Sequence, residues 1–143
     1  MSLINIIDFK SLGDSRGNLV SLEATQNIPF EIKRIYYLFN TDIETRRGYH
    51  AHKELKQIAI ALHGSCRLLL DDGKEKEEVL LNKPTQGLLI ESFVWREIFD
   101  FSDDCVLLVI ADSFYDEEDY IRDYNVFLKI VEKKNEKNNF RKI

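Results

Sequence analysis

The stretch Arg47-Gly48-Tyr49-His50-Ala51-His52-Lys53, followed by Gln57 and Gly64, decides the fold of this chain. It holds two of the chain's three histidines. On a β-strand successive side chains alternate faces, so His50 and His52 point the same way. Two imidazoles side by side suit one of two jobs: binding a metal, or moving protons near neutral pH. The cations Arg47 and Lys53 flank the pair.

Short apolar runs recur on both sides of this stretch. Strands are expected at 4–8, 19–23, 32–40, 48–52, 57–62, 67–70, 78–81, 87–90, 96–101 and 106–111. Turn chemistry separates them at Asp14-Ser15-Arg16-Gly17, Gly64-Ser65 and Asp71-Asp72-Gly73. This spacing predicts a sandwich or barrel of antiparallel strands, not βαβ units. The period then changes. Ile121, Tyr124, Phe127, Leu128 and Val131 fall on one helical stripe, and the acidic residues from Asp116 to Asp119 suit a helix N-terminus. One domain is expected over 1–132, C-terminal helix included, with a frayed tail at 133–143.

Composition narrows the function. The chain has 143 residues, of which 44% are hydrophobic and 31% charged, ordinary values for a single globular domain. A net charge of −5 argues against a general nucleic-acid or membrane surface. It leaves room for an anionic small ligand held by a local arginine cluster. No apolar run approaches the ~20 residues needed to span a bilayer. The start, Met1-Ser2-Leu3-Ile4-Asn5, lacks the charged and apolar regions of a signal peptide, so a cytoplasmic location is expected. Cys66 and Cys105 sit in apolar runs outside any CxxC pair and read as reduced core thiols.

Gly48-x-His50-x-His52, then Gln57 and Gly64, resembles the first sequence motif of the cupins, small double-sheet jelly rolls. A metal-binding cupin normally has Glu at the position of Gln57 and another His at the position of Arg96. A divalent transition metal wants imidazole, carboxylate or thiolate donors. An amide is a weak donor and a guanidinium repels the ion. No metal is therefore expected. An arginine in a cavity suits anionic oxygens, such as phosphate or an enolate.

A closer resemblance uses more of the chain. Asp14-Ser15-Arg16-Gly17, Ile32-Lys33-Arg34-Ile35-Tyr36-Tyr37, the His50 and His52 stretch, Val94-Trp95-Arg96-Glu97 and Tyr115-Asp116-Glu117-Glu118-Asp119-Tyr120-Ile121-Arg122 occur in order. Together they are similar to the dTDP-sugar 3,4-ketoisomerases. This resemblance implies an all-β double-stranded β-helix, the cupin jelly roll, with a C-terminal α-helix. It implies an enzyme without cofactor that moves the carbonyl of dTDP-4-keto-6-deoxy-D-glucose from C4 to C3. The product would feed 3-amino-3,6-dideoxyhexoses for bacterial surface polysaccharides. A homodimer is implied, and exchange of the short N-terminal strand would cover an open sheet edge. Three rivals stand beside this reading: a dTDP-sugar 3,5-epimerase, a metal-dependent cupin enzyme, and a non-catalytic sugar-nucleotide-binding cupin.

The chemistry assigns residues to tasks. A ketone at C4 acidifies the C3 hydrogen, and a histidine near its unperturbed pKa of ~6.5 can take that proton and return it. His50 is the expected base and His52 its relay or tuner, although spacing alone leaves the two exchangeable. Arg34, Tyr36 and Leu38 share one face of their strand, so Tyr36 is a candidate for the enediolate and Arg34 for a phosphate. Ile35, Tyr37 and Phe39 share the other face and read as core or interface. Arg47, Lys53 and Arg122 are further candidates for the diphosphate, and Gln57 and Trp95 for the sugar or base. Arg96 joins the expected catalytic groups; in the family its position carries His in galacto-forming members and Arg in gluco-forming ones. The gluco type normally pairs that Arg with a Tyr where this chain has Arg16, itself a further substrate-binding candidate. The chain is mixed, with a lean toward the gluco product.

Overall fold

Period-two alternation becomes two facing sheets in the computed structural model, which describes residues 2–141. The strands are β1 (Asn5–Asp8), β2 (Leu12–Asp14), β3 (Gly17–Leu19), β4 (Arg34–Leu38), β5 (Arg47–His52) and β6 (Gln57–His63). They continue with β7 (Cys66–Asp71), β8 (Lys76–Leu81), β9 (Gln86–Ile90), β10 (Trp95–Phe99), β11 (Val106–Ala111) and β12 (Tyr120–Ile121). One helix, α1 (Tyr124–Arg141), ends the described chain. The first sheet has the order β1-β9-β6-β11-β4 and the second β12-β5-β10-β7-β8, with β2 and β3 forming a separate hairpin. Every ladder is antiparallel. The expected double-sheet jelly roll is the observed fold.

The inward rows of both sheets make the main core. Ala59, Leu88, Ile90, Leu107 and Val109 from the first sheet meet Cys66, Leu68, Leu70 and Leu81 from the second. Both cysteines are free and buried, and burial pushes their thiols up, as inert core thiols require.

The outer face of the first sheet is covered differently from expectation. The strand foreseen at 19–23 ends at Leu19. Beyond it Val20 and Leu22 pack on Ile58, Ile60 and Ile110 as irregular cover. The Asn27 amide explains the departure. Its Oδ1 accepts from the Glu23 N–H at 2.7 Å and its Nδ2 donates to the Ser21 carbonyl at 2.7 Å. Those backbone groups are satisfied locally and need no strand partner.

The C-terminal stripe also divides. Ile121 belongs to β12, not to the helix. The helix is capped by Asp123, whose carboxylate accepts from the Val126 N–H at 3.0 Å. The acidic run forms a short 3-10 turn, Glu117–Asp119, ahead of it. Phe127 and Val131 pack with Ala51, Trp95 and Ile121 on the outside of the second sheet. The helix does not stop at 132. It continues to Arg141, because Lys and Glu are good helix formers and Lys134 anchors over the Phe93 ring at 3.9 Å. Residues 142 and 143 of the expected tail lie outside the described residues.

The strand β1 pairs with β9 of the same chain, from Asn5↔Leu89 to Asp8↔Gln86. The edge that a partner's strand was expected to cover is thus occupied from within. Among the described residues no helix is long and apolar enough to cross a membrane.

Candidate active site

The site lies where β4 and β5, on opposite sheets, face each other. A cavity of about 350 Å3 opens there. From β4 it takes Arg34, Tyr36 and Leu38, and from β5 Arg47, Gly48 and His50. Ile98, Tyr120 and Arg122 complete the wall.

Local backbone aims His50. Gly48 has φ +90° and Tyr49 φ +56°, two left-handed residues in succession. They accompany a bulge in the β5–β10 ladder, where Arg96 pairs with His50 and Glu97 with Gly48. The distortion turns the Gly48 carbonyl toward the His50 ring, 3.0 Å from Nδ1. A carbonyl only accepts, so Nδ1 carries the hydrogen. The ring is neutral at pH 7. Burial pushes its pKa down to about 4, and the Arg96 charge adds to the effect. His50 Nε2 is therefore an unprotonated lone pair on a side chain that lines the cavity.

His52 stands behind it, fully buried. Its Nδ1 donates to Asp119 Oδ2 at 3.0 Å, and Asp119 also accepts from the backbone N–H groups of Glu54 and Leu55. Burial, Arg96 and His50 together push the His52 pKa well below the usual range. Its Nε2 has no partner among the described residues. The two imidazoles meet edge to face at 4.9 Å, and the Tyr120 ring packs against both. The pair is thus not symmetric: His50 reaches the cavity and His52 does not.

The next expected residues form a buried chain. Arg96 Nη1 donates to Gln57 Oε1 at 2.6 Å and Arg96 Nη2 to the Val94 carbonyl at 2.8 Å. Gln57 Nε2 donates to the Tyr36 hydroxyl at 2.9 Å. Arg96 and Gln57 are each 2% exposed. Gln57 was expected to touch substrate; both ends of its amide are instead engaged within the protein. Arg96 was expected among the catalytic groups, but register places it opposite His50 and behind the wall. Burial lowers its pKa to about 10, so it remains a cation at pH 7.

The cations divide likewise. The Arg34 guanidinium sits over the rings of Tyr36 and Tyr115 at 5.1 and 5.7 Å, with Nε and Nη2 buried and unpartnered among the described residues. Arg122 lines the cavity, held by Glu117 at 2.6 and 2.8 Å and laid over Tyr120 at 4.2 Å. Arg47 lines the mouth and has no ion pair among the described residues. Lys53 points elsewhere, its Nζ donating to the Glu118 carbonyl at 3.1 Å. Trp95 is 3% exposed and packs against Tyr124 and Phe127, with its indole N–H on Glu97; it seals the helix to the sheet and does not line the cavity. Arg16 sits at the β2–β3 turn, paired with Asp14 at 2.6 Å, and is not part of this chain's cavity wall.

Sequence reading missed Asp119 and Tyr120. Within the run from Tyr115 to Arg122 only the Arg122 charge carries a signal of its own, because the acids equally suit a helix start.

A metal would have to use the imidazole pair and the positions of Gln57 and Arg96. A guanidinium hydrogen-bonded to an amide offers it a cation and a weak donor. Among the described residues no group of three or more His, Cys, Asp or Glu is placed to hold one.

Fold and site together define a cupin-type barrel whose mouth places a neutral imidazole among arginines. The chain belongs to the family described as FdtA: WxcM-like, C-terminal, whose model matches residues 2–132. It is 52% identical, over 91% of its length and 94% of the relative's, to a TDP-4-oxo-6-deoxy-alpha-D-glucose-3,4-oxoisomerase of Aneurinibacillus thermoaerophilus. A 3,4-ketoisomerase from Helicobacter canadensis superposes with a TM-score of 0.88 at 47% identity, covering 90% of this chain and 97% of that one. A sugar 3,4-ketoisomerase from Thermoanaerobacterium thermosaccharolyticum, in complex with TDP, gives 0.90 at 44%, covering 92% and 96%. A 3,5-epimerase from Legionella pneumophila, at 16% identity, shares the fold alone.

Proposed function

We propose that this chain is a metal-independent isomerase that converts dTDP-4-keto-6-deoxy-D-glucose to its 3-keto isomer through an enediolate. One observation carries the reading: His50 presents a fixed, unprotonated Nε2 to a cavity that two tyrosines and three arginines also line. The names of the relatives supply the substrate.

The residues divide the work as follows. His50 Nε2 takes the proton from C3. The electron pair of that bond forms the C3–C4 double bond, and the carbonyl pair moves onto O4. Tyr36 gives O4 a proton and recovers one from the C3 hydroxyl. C4 is then protonated and the carbonyl stands at C3. Hydrogen and carbonyl merely exchange places, so no redox cofactor is consumed. Arg34, Arg47 and Arg122 hold the diphosphate. Asp119 fixes His52, which supports the His50 ring from behind. Arg96 is too poor an acid to protonate C4, so water or His50 supplies that proton; an Arg rather than a His at this position supports the gluco product, and Arg16 in place of the usual Tyr argues against it.

Incubation with dTDP-4-keto-6-deoxyglucose in D2O, followed by NMR, tests the reading. Migration of the carbonyl to C3 with exchange at C3 and C4 is expected. Exchange at C5 would mean an epimerase, and no change would leave a binding protein. Coupling constants at C4 of the trapped product decide its configuration.

The product is a substrate for amination at C3, which suits synthesis of surface-polysaccharide sugars in the cytoplasm. The proposal includes a homodimer. Ile35 and Tyr37 on edge strand β4 form, with Phe39 just past its end, an exposed apolar row, and β1 would lie on a second copy's β9 in the same register. Sedimentation at working concentration is expected to give twice the chain mass; monomer alone would remove this part.

A further inference from the structure

Gln57 does not line the cavity, yet it occupies a position that the site cannot leave to chance. Its amide lies between a cation and a phenol. The two ends of an amide look alike in shape, and normally either could face either way. Here the choice is forced. Arg96 offers only donors, so the end of Gln57 that meets Nη1 at 2.6 Å must be the oxygen. The nitrogen then faces Tyr36 and donates to its hydroxyl oxygen at 2.9 Å. That oxygen is thereby an acceptor on its inner side. Its own hydrogen has no acceptor among the described residues and is free to turn to the cavity that Tyr36 lines.

We infer that Gln57 is a positioning residue that fixes the hydrogen-bond direction of Tyr36, making the phenol a donor toward the substrate oxygen. The inference rests on the reading of Tyr36 as the proton donor to O4. Arg96 starts the chain, Gln57 passes the direction on, and Tyr36 delivers it where negative charge develops. Arg96 thus acts on the reaction through Gln57 without touching substrate. A phenol held as a donor also needs to stay protonated, and burial raises the Tyr36 pKa above its ordinary value.

The substitution Gln57→Glu reverses the chain with almost no change in shape. A carboxylate accepts at both ends, so the Tyr36 hydrogen turns inward and is lost to the substrate. The expected result is a fall in kcat of about 100-fold, the usual cost of one oxyanion donor, with little change in KM or in TDP binding. The Tyr36→Phe variant is expected to fall as far. Combining the two should cost no more than Tyr36→Phe alone, because both remove one hydrogen bond.

A Gln57→Glu enzyme within about twofold of wild type would overturn the inference while leaving Tyr36 its role. So would a Gln57→Glu loss that keeps its full size in the Tyr36→Phe background, since the carboxylate would then be acting on His50. Tyr36→Phe at wild-type rate would instead remove the reading underneath. If Gln57→Glu does not fold, Gln57→Met serves. Its thioether neither donates nor accepts strongly, and its expected loss of about 10-fold in kcat should vanish in the Tyr36→Phe background.

Discussion

His50→Asn is expected to lower kcat by roughly 1,000-fold, the scale of a lost general base, while TDP still binds. Asparagine can keep a hydrogen bond to the Gly48 carbonyl, so the bulge and the cavity wall survive. What it lacks is a nitrogen that takes a proton. His52→Asn should cost less, because His52 is fully buried and does not line the cavity. The pH profile of the wild type carries the same argument. The base must be unprotonated, and its pKa in the folded chain is about 4. The rate is therefore expected to stay flat from neutral pH downward and to fall only as pH drops through about 4. An acid limb at ~6.5, the ordinary histidine value, would contradict the buried site. Stability follows the same sign. Between pH 6.5 and about 4 the unfolded chain binds protons at these histidines that the folded chain refuses. Stability is complete above that window and declines through it, so circular dichroism should accompany each rate measurement.

Gly48→Ala is expected to disable the enzyme without touching a reacting group. A Cβ at Gly48 would lie 2.7 Å from the Arg96 carbonyl oxygen and 3.3 Å from its carbon, and the residue has φ +90°. The left-handed backbone alone costs an alanine about 1–2 kcal/mol. The contact is with backbone, so β5 must move away from β10. That movement pulls the Gly48 carbonyl from the His50 ring and releases both its direction and its tautomer. A displacement of about 1 Å at the base is enough for a 100-fold loss in kcat. Proton-nitrogen NMR of the histidine ring should show the tautomer mixing. A Gly48→Ala enzyme with wild-type kcat would mean that something other than the bulge aims His50.

Much of the fold was legible because alternation is a local signal. The positions of β4, β5, β6 and β11 follow from runs of period two, and the shared face of Arg34, Tyr36 and Leu38 follows from the same rule. The HxH pair announced its own side. What parity could not rank was the order within the pair, since His50 and His52 differ through Gly48 and Asp119, one a backbone distortion and the other 67 residues away. The role of Gln57 was hidden for a related reason. Its sequence position marks an inward face, but only the assembled barrel puts Arg96 at one end of the amide and Tyr36 at the other. The acidic run misled because charge density is ambiguous. It suits a helix start, and here it makes a 3-10 turn whose last residue serves His52 while Asp123 caps the helix. Trp95 carries no parity signal of its own, and only the helix that lies over it explains its burial.

Strand β4 is held on one side only, by the pairs from Leu107↔Leu38 to Ala111↔Arg34. A slip by one residue would turn Arg34 and Tyr36 outward and sink Ile35 and Tyr37 into the mouth. The alignment of this single edge strand is therefore one setting with two outputs, the chemistry within and the apolar row without. A second copy clamped on the outer row would accept only the frame that also arms the pocket. Assembly would then proofread the register, and a misaligned chain would be excluded before it could bind sugar nucleotide unproductively.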